Sequence, residues 1–395
     1  MTQSTVVFLL ALLLGIQPVT TDLYLPALPA LTQTFGASVA QGQLTLSALL
    51  LAFGLSQLVW GPISDRFGRR PVLLLGLLLY TFAAIVSAYA DSMDLLVSWR
   101  IMQGLAMGAV VMCGRALVRD LYSPVKGVEV MSKGLTGLAV FACLSAPLGG
   151  FLAAYWSTRT ALMALAIFSG VALCLVFALF KETLVHKNLR ALEPVILVKT
   201  WWSIVKNPIF LTYSALSFSS YGVLFTFLAS SSFVFIKIHG FTPPQYGVIM
   251  LGMSAFYMGG TFMCRWLIKR LDFSKSIAIA GVISLSGGTL LAALAFAGNT
   301  SPWAQIVPFY LMAIGHGVHQ PCGQSGAIGP FGKAAGTAAA LNGFSMMLVA
   351  FITGAGLSYF SDGSAMPMIW TIWLWSICIC IIAWVAVPRH SMHQY

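Results

Sequence analysis

Ten carboxylates are spread over the 395 residues of this chain, and one of them, Asp22, falls inside a long apolar run. The other nine sit in loops or at run ends. A carboxylate in hydrocarbon costs at least a few kcal/mol, so an intramembrane acid is a functional hypothesis by default. Arg100 lies inside another run. Counted from the outer ends of their runs, at about 1.5 Å per residue, both residues sit roughly 6–9 Å deep and can meet at one level. Loss of water favours a neutral carboxyl group, whereas a guanidinium nearby favours the charged form. Arg itself keeps its proton. A pair that meets and parts would let Asp22 carry a proton and Arg100 tune it; a pair that stays put would be a structural strut, or a wet Asp near the headgroups.

A second charged group surrounds the run Gly61-Pro-Ile-Ser-Asp-Arg-Phe-Gly-Arg-Arg70. Gly61 and Gly68 permit close approach and a tight turn. Asp65 can pair with Arg69 or Arg70, or face the positive N-terminus of a neighbouring helix. Such charges form either a conformational latch or a solvated loop that sets topology. Arg115, four residues before Arg119, snorkels or joins this group.

His316 and His319 are three apart and share a helical face. His titrates near neutrality, so they suit a second proton site, a polar substrate contact or plain interhelical hydrogen bonding. No acid or Cys is placed to complete four ligands, so no metal is expected. Polar and aromatic residues within the runs are candidates for substrate contact: Tyr24, Gln57, Tyr221, Tyr257, His316, His319, Gln320 and Asn342. Aromatic and Met-rich surfaces suit bulky apolar or cationic ligands. No phosphate loop, His-Glu-x-x-His or nucleophile elbow occurs. No enzyme activity and no cofactor are therefore expected, and an ion gradient is the expected energy source.

The elements that must position these residues follow from composition. The chain is 59% hydrophobic and 8% charged, against about a quarter charged in soluble domains. It has too few charges for a solvated shell. A net charge of +11 could suggest nucleic acid, but the bases sit in short loops between apolar runs, which is the membrane pattern. Twelve runs near 6–26, 43–62, 71–90, 94–117, 130–154, 158–180, 208–236, 244–267, 276–298, 302–325, 336–360 and 366–386 approach the ~20 residues that a spanning helix needs. Helices are required because lipid offers the backbone no hydrogen-bond partner. Of 21 Lys and Arg, sixteen fall in the loops and tail on the side of the termini and two, Arg159 and Lys237, on the other; this puts both termini in the cytoplasm. The first run has no basic residue before Val6 and reads as a retained span, not a cleaved leader. Seven scattered Cys, an odd number within the runs, read as packing residues rather than a disulfide framework. The polar stretch 181–207 separates an N-terminal half, 1–180, from a C-terminal half, 208–395, and suits an amphipathic linker on the membrane surface.

The loop Gly61-x3-Asp65-Arg66-x-Gly68-Arg69-Arg70 resembles the signature loop of the major facilitator superfamily. Arg100-x2-Gln103-Gly104 resembles its second motif, and Ala146-Pro147-x-Gly149-Gly150 its antiporter motif, with Ala146 where Gly is commoner. The segment Thr21-Asp22-Leu23-Tyr24-Leu25-Pro26-Ala27-Leu28-Pro29 is similar to the opening motif of the bicyclomycin/chloramphenicol-resistance subgroup. The resemblance covers nearly the whole chain. It implies an all-α membrane protein of twelve transmembrane helices in two six-helix halves, in a bacterial cytoplasmic membrane. It maps a charge cluster onto Asp65, Arg70 and Asp120, assigns Pro147, Gly149 and Gly150 to a seal against leak, and brings Gln103 among the substrate candidates.

The function expected is proton-coupled export of small amphipathic compounds by alternating access, by a monomer whose partners are substrate, protons and the bilayer, with no nucleic acid. The alternatives are a carrier of one metabolite, such as a nucleoside, sugar or amino acid, and a membrane receptor or scaffold that transports nothing.

Overall fold

The structure is a computed structural model; it describes all residues except 123, 185, 186, 188–190 and 391–395, and the side chains of 124, 125, 128 and 333 are also left out. Arg190 and the Lys333 side chain, both counted above for orientation, lie outside what is described.

Among the described residues the chain is helical throughout, and twelve helices dominate. They are α1 (Gln3–Asp22), α2 (Val39–Phe67), α3 (Arg69–Ala88), α4 (Met93–Leu121), α5 (Pro124–Tyr155), α6 (Thr158–Leu179), α7 (Pro208–Ser232), α8 (Pro243–Arg270), α9 (Phe273–Phe296), α10 (Trp303–Ile328), α11 (Ala335–Tyr359) and α12 (Met366–Ile381). Together with their short continuations, eleven of them are long and apolar enough to cross a membrane. The exception is α10, whose 26 residues suffice in length. Its His316, His319, Gln320 and Gln324 make it more polar. Large apolar side chains such as Phe82, Ile167, Phe177, Phe262 and Ile352 are exposed; a lipid solvent accepts what water would not.

Caps set the helix ends. Ser38 and Gln41 form a reciprocal capping box that opens α2. Ser92 and Ser157 accept backbone N–H groups at the starts of α4 and α6, as Asn207 does for α7. Pro26 and Pro29 follow α1, where the chain tightens into a 3-10 turn at Leu25–Ala27 and resumes as a short helix at Leu28–Thr34. Proline removes a backbone donor, so α1 stops at Asp22 although its apolar run goes on.

The chain divides into two compact units, Met1–Leu197 with Thr242–Gly247, and Val198–Phe241 with Val248–Tyr395. The division falls inside the linker helix Pro194–Val205. In the first unit α4 is central, packed on α1, α2 and α3, while α1 also packs on α5 and α3 on α6. In the second, α7 takes the centre against α10, α11 and α12, with α9 on α10 and α12.

Small residues permit the closest approach. Gly104 of α4 lies against the Leu49 carbonyl of α2, and Gly108 against the Ser56 side chain. Without a hydrophobic force between helices in lipid, such close packing is a main source of association. Gly104→Leu should therefore destabilise the fold by about 1–3 kcal/mol, read as a lower melting temperature of the detergent-purified protein. Gly259→Ala, on α8 where nothing lies within 4 Å, should leave the melting temperature near wild type.

Candidate functional site

The break after α1 builds the first part of the site. The last carbonyls of a helix have no partner within it, and here the Thr20 carbonyl accepts Arg100 Nη2 at 2.9 Å. Arg100 of α4 is fully buried. Its Nη1 donates to Gln103 Oε1 at 2.9 Å, and its guanidinium lies 4.0 Å from the centre of the Tyr24 ring. Gln103 Nε2 donates in turn to Ser87 Oγ at 3.2 Å. Tyr24 shares a 2.7 Å hydrogen bond with Thr45 Oγ1, and Thr20 Oγ1 shares a 2.6 Å bond with Tyr80. One polar network thus ties α1 to α2, α3 and α4.

Asp22 stands beside this network without an ion pair to it. The carboxylate is buried and accepts the Thr21 hydroxyl at 2.7 Å. Arg100 makes no ion pair with Asp22; it caps the broken end of α1, and its Nε is buried without a partner. The helix end holds the guanidinium because a cation there satisfies a carbonyl and faces the negative end of the dipole.

The antiporter motif backs onto the same break. Pro147 lies inside α5. Gly149 has no room for a Cβ beside the Leu23 carbonyl, one residue after Asp22. Gly150 meets the Pro243 carbonyl in the same way, and Gly247 meets Pro147; the first turn of α8 belongs to the same compact unit.

The charged group at the α2–α3 turn is centred on Arg69, not Arg70. Arg69 is only 2% exposed. It pairs with Asp65 at 2.6 Å and with Asp120 at 2.9 Å, and donates to Ser64 Oγ. Arg119 adds weaker contacts of 3.7 Å to both acids. Arg70 points elsewhere: its Nη2 donates to the Phe177 carbonyl, and its guanidinium lies over the Phe177 ring. Arg115 is half-buried and takes no part in the described ion pairs. Gly61 lies within α2, with Met112 as its ordinary neighbour.

Glu182, just beyond α6, completes this group, although its position in the sequence places it in the linker. Helix α3 starts without a side-chain cap, directly after Gly68 at φ 112°. Glu182 supplies the missing acceptor, taking the N–H groups of Arg69 and Arg70 at 3.0 and 3.1 Å. It also takes those of Thr183 and Leu184, and Thr183 Oγ1 donates to Asp120 at 3.3 Å. A Cβ on Gly68 would lie 2.6 Å from Glu182 Oε2. The legible signal was a helix opening Gly-Arg-Arg-Pro with no capping residue, which needs an acceptor from outside.

The second unit collects the other candidates. His316 Nδ1 and Ser220 Oγ share a 2.8 Å hydrogen bond, and the His316 and Tyr257 rings are 5.3 Å apart. Gln320 Nε2 donates to the Ser217 carbonyl, and Gln324 to Gln320 Oε1. His319 is buried with no well-formed hydrogen bond to either ring nitrogen; the Ile277 backbone of α9 and His316 are the polar groups facing it. Asn342 reaches only Met346 Sδ, at 3.9 Å. Gln57 and Tyr221 are buried and Tyr257 half-buried. No three metal-binding side chains converge among the described residues.

Residues 10–355 match the description of the Major Facilitator Superfamily. The chain belongs to this superfamily. Membership makes it a multi-pass membrane transporter of small molecules rather than an enzyme. Among other Major Facilitator proteins, it is 28% identical over 373 residues to a bicyclomycin resistance protein homolog of Haemophilus influenzae, covering 94% of this chain and 93% of that one. It is 28% identical to multidrug resistance protein D of Escherichia coli, over 85% and 84% of the two chains. A chloramphenicol resistance protein of Pseudomonas aeruginosa is 29% identical, over 81% and 75%. The fold is that of a solved Major Facilitator carrier, a D-xylose–proton symporter, with a TM-score of 0.79 at 13% identity over 98% of each chain.

Two predictions concern the charge cluster of this Major Facilitator chain. Removing one member of a buried ion pair costs about 3–5 kcal/mol, whereas Arg70, half-buried and held by the Phe177 carbonyl and ring, has one net hydrogen bond of about 1 kcal/mol to lose. Arg69→Gln should thus sharply lower the melting temperature, and Arg70→Gln should lower it much less. The second is a pH dependence. Partial burial opposes ionisation of Glu182, but the N–H groups of Leu184, Arg70, Arg69 and Thr183 outweigh it and hold its carboxyl below the usual carboxylate range. A lowered value means that the contribution is complete above about pH 4.3 and is lost as pH falls through the folded value. Glu182→Gln should therefore unfold earlier than wild type between pH 5 and 8, with the gap closing in acid.

Proposed function

We propose that this chain is a proton-coupled exporter of small amphipathic compounds, acting as a monomer in a bacterial cytoplasmic membrane with both termini in the cytoplasm. The observation that carries this reading is Asp22, the acid placed away from a span end, buried, with a neighbouring hydroxyl as partner and no cation bonded to it. The names of the relatives, which speak of bicyclomycin, chloramphenicol and multidrug resistance, support export of drug-like compounds. The excess of basic residues in the loops on the side of the termini supports the orientation.

In this reading Asp22 exchanges its proton with the outer side in one state and with the cytoplasm in another. Arg100 is a positioning residue. Fastened to Thr20, Gln103 and Tyr24, it sets the geometry of the α1 end and supplies a fixed positive charge that Asp22 approaches or leaves. The Gly149 and Gly150 contacts hold that end closed to leak. The Arg69 cluster with Asp65, Asp120 and Glu182 is the cytoplasmic latch, closing in one state and parting in the other. One proton moving inward yields about 2.3 kcal/mol per 100 mV and about 1.4 kcal/mol per pH unit, together enough for a drug gradient on the order of 500-fold.

A second reading, a carrier of one polar metabolite, is favoured by the second unit. Ser214 Oγ, Ser217 Oγ and Asn342 Oδ1 are buried without partners, and the His319 ring makes no well-formed hydrogen bond. Buried polar atoms left unpaired are costly, and a hydrogen-bonding substrate would relieve them.

The test is transport in proteoliposomes with an imposed pH gradient. Wild type should accumulate several amphipathic compounds against their gradient, and Asp22→Asn should lose at least tenfold of this while keeping substrate binding. Gradient-driven accumulation by Asp22→Asn at the wild-type rate would overturn the coupling role. Uptake of one polar compound alone would favour the second reading.

A further inference from the structure

A groove of about 510 Å³ runs along the outer surface of the second unit, at the end of α9 that follows Lys269 and Arg270. Its walls are Ala278, Ile279 and Val282 of α9, Leu271 from the turn before that helix, and Trp384 from the π-helical turn Ile382–Ala386 beyond α12. Spacings of three and four place Lys275, Ala278, Ile279 and Val282 on one face of α9. The groove exists because that face is thin where the two helices touch: Gly281 lies against Ala383, and Ala278 adds only a methyl group. Trp384 stands up beside the gap and donates its indole N–H to the Ala278 carbonyl at 3.1 Å.

Every wall residue is apolar except Lys275, at the mouth. Lys275 lines the mouth, and two further bases precede it in sequence, Lys269 and Arg270, the latter with its guanidinium 4.7 Å from the centre of the Trp266 ring; Asp272 is the one acid among them. Asp272 caps α9 and pairs with Lys275 at 3.1 Å, but both side chains are exposed, at 52% and 71%. An exposed pair of this kind is worth little, and a Lys ammonium has further donors to offer. The position is a membrane interface, where a Trp beside basic residues is typical.

We propose that this groove is a binding site for one anionic phospholipid, with an acyl chain lying along α9 against Trp384 and the phosphate held by Lys275 with Lys269 and Arg270. The apolar walls alone give no preference, because neighbouring lipid tails are as apolar as the groove. Retention must come from the headgroup, and its signature is selectivity for charge. Basic residues at a membrane surface favour anionic lipid by about fivefold each.

The test uses the full chain in mild detergent, offered equal amounts of phosphatidylglycerol and phosphatidylcholine, with retained lipid counted by native mass spectrometry. Wild type should keep one phosphatidylglycerol with at least fivefold preference. Lys275→Gln, at an exposed side chain, should bring the preference down about fivefold, and Ile279→Trp, which fills the groove from an exposed position, should lose the retained lipid. Equal retention of the two lipids by wild type overturns the proposal. So does a preference that both variants leave unchanged, or a second copy of the chain found in the lipid's place. None of these readings depends on transport, so failure here is separable from failure of the exporter assignment.

Discussion

A helix that stops inside a membrane leaves carbonyl groups that lipid cannot satisfy, and the architecture around Asp22 answers that constraint. Helix α1 stops at Asp22 because two prolines follow. The freed Thr20 carbonyl takes the guanidinium of Arg100, which Gln103 and the Tyr24 ring then hold from other sides. The Arg100 cation is committed to a backbone carbonyl two residues before Asp22 rather than to its carboxylate. What results is a buried acid with a hydroxyl beside it, next to a network that holds a fixed positive charge. In the proposed function that acid is the proton site, and movement of the α1 end would change its surroundings.

The same economy appears at the turn between α2 and α3. Gly68 takes a backbone conformation closed to most residues and leaves space at the start of α3. Glu182 fills that space and caps the helix, so the chain leaving α6 is tied to the turn by backbone hydrogen bonds. Arg69, the first residue of α3, then projects into the acids of α2 and α4. Separating α3 from α4 would break the buried Arg69–Asp120 pair, and separating α4 from the chain beyond α6 would break the Thr183–Asp120 hydrogen bond.

Periodicity and composition made the twelve helices legible, because lipid demands long apolar segments with internally satisfied backbones. Depth along a helix was also legible: Asp22 and the α1 carbonyl that Arg100 reaches are two residues apart. Direction around the helix was not. Spacing could not show that Arg100 would prefer a carbonyl and an aromatic ring to a carboxylate, nor that Arg69 rather than Arg70 faces inward. Those choices depend on how neighbouring helices are rotated, which only packing decides. Glu182 was hidden for a related reason, since its partners lie more than a hundred residues away. Cys264 and Cys322, read as scattered packing residues, have sulfurs 3.7 Å apart across α8 and α10, a proximity no spacing rule reports.

The central claim is that Asp22 gives up or takes up a proton as the carrier changes state. It is tested most directly by mixing a transported compound with the purified protein in weakly buffered detergent solution and following a pH indicator. The account predicts a proton change close to one per bound substrate in wild type and none in Asp22→Asn that still binds. The same proton change in both proteins, or none in either despite binding, would contradict it.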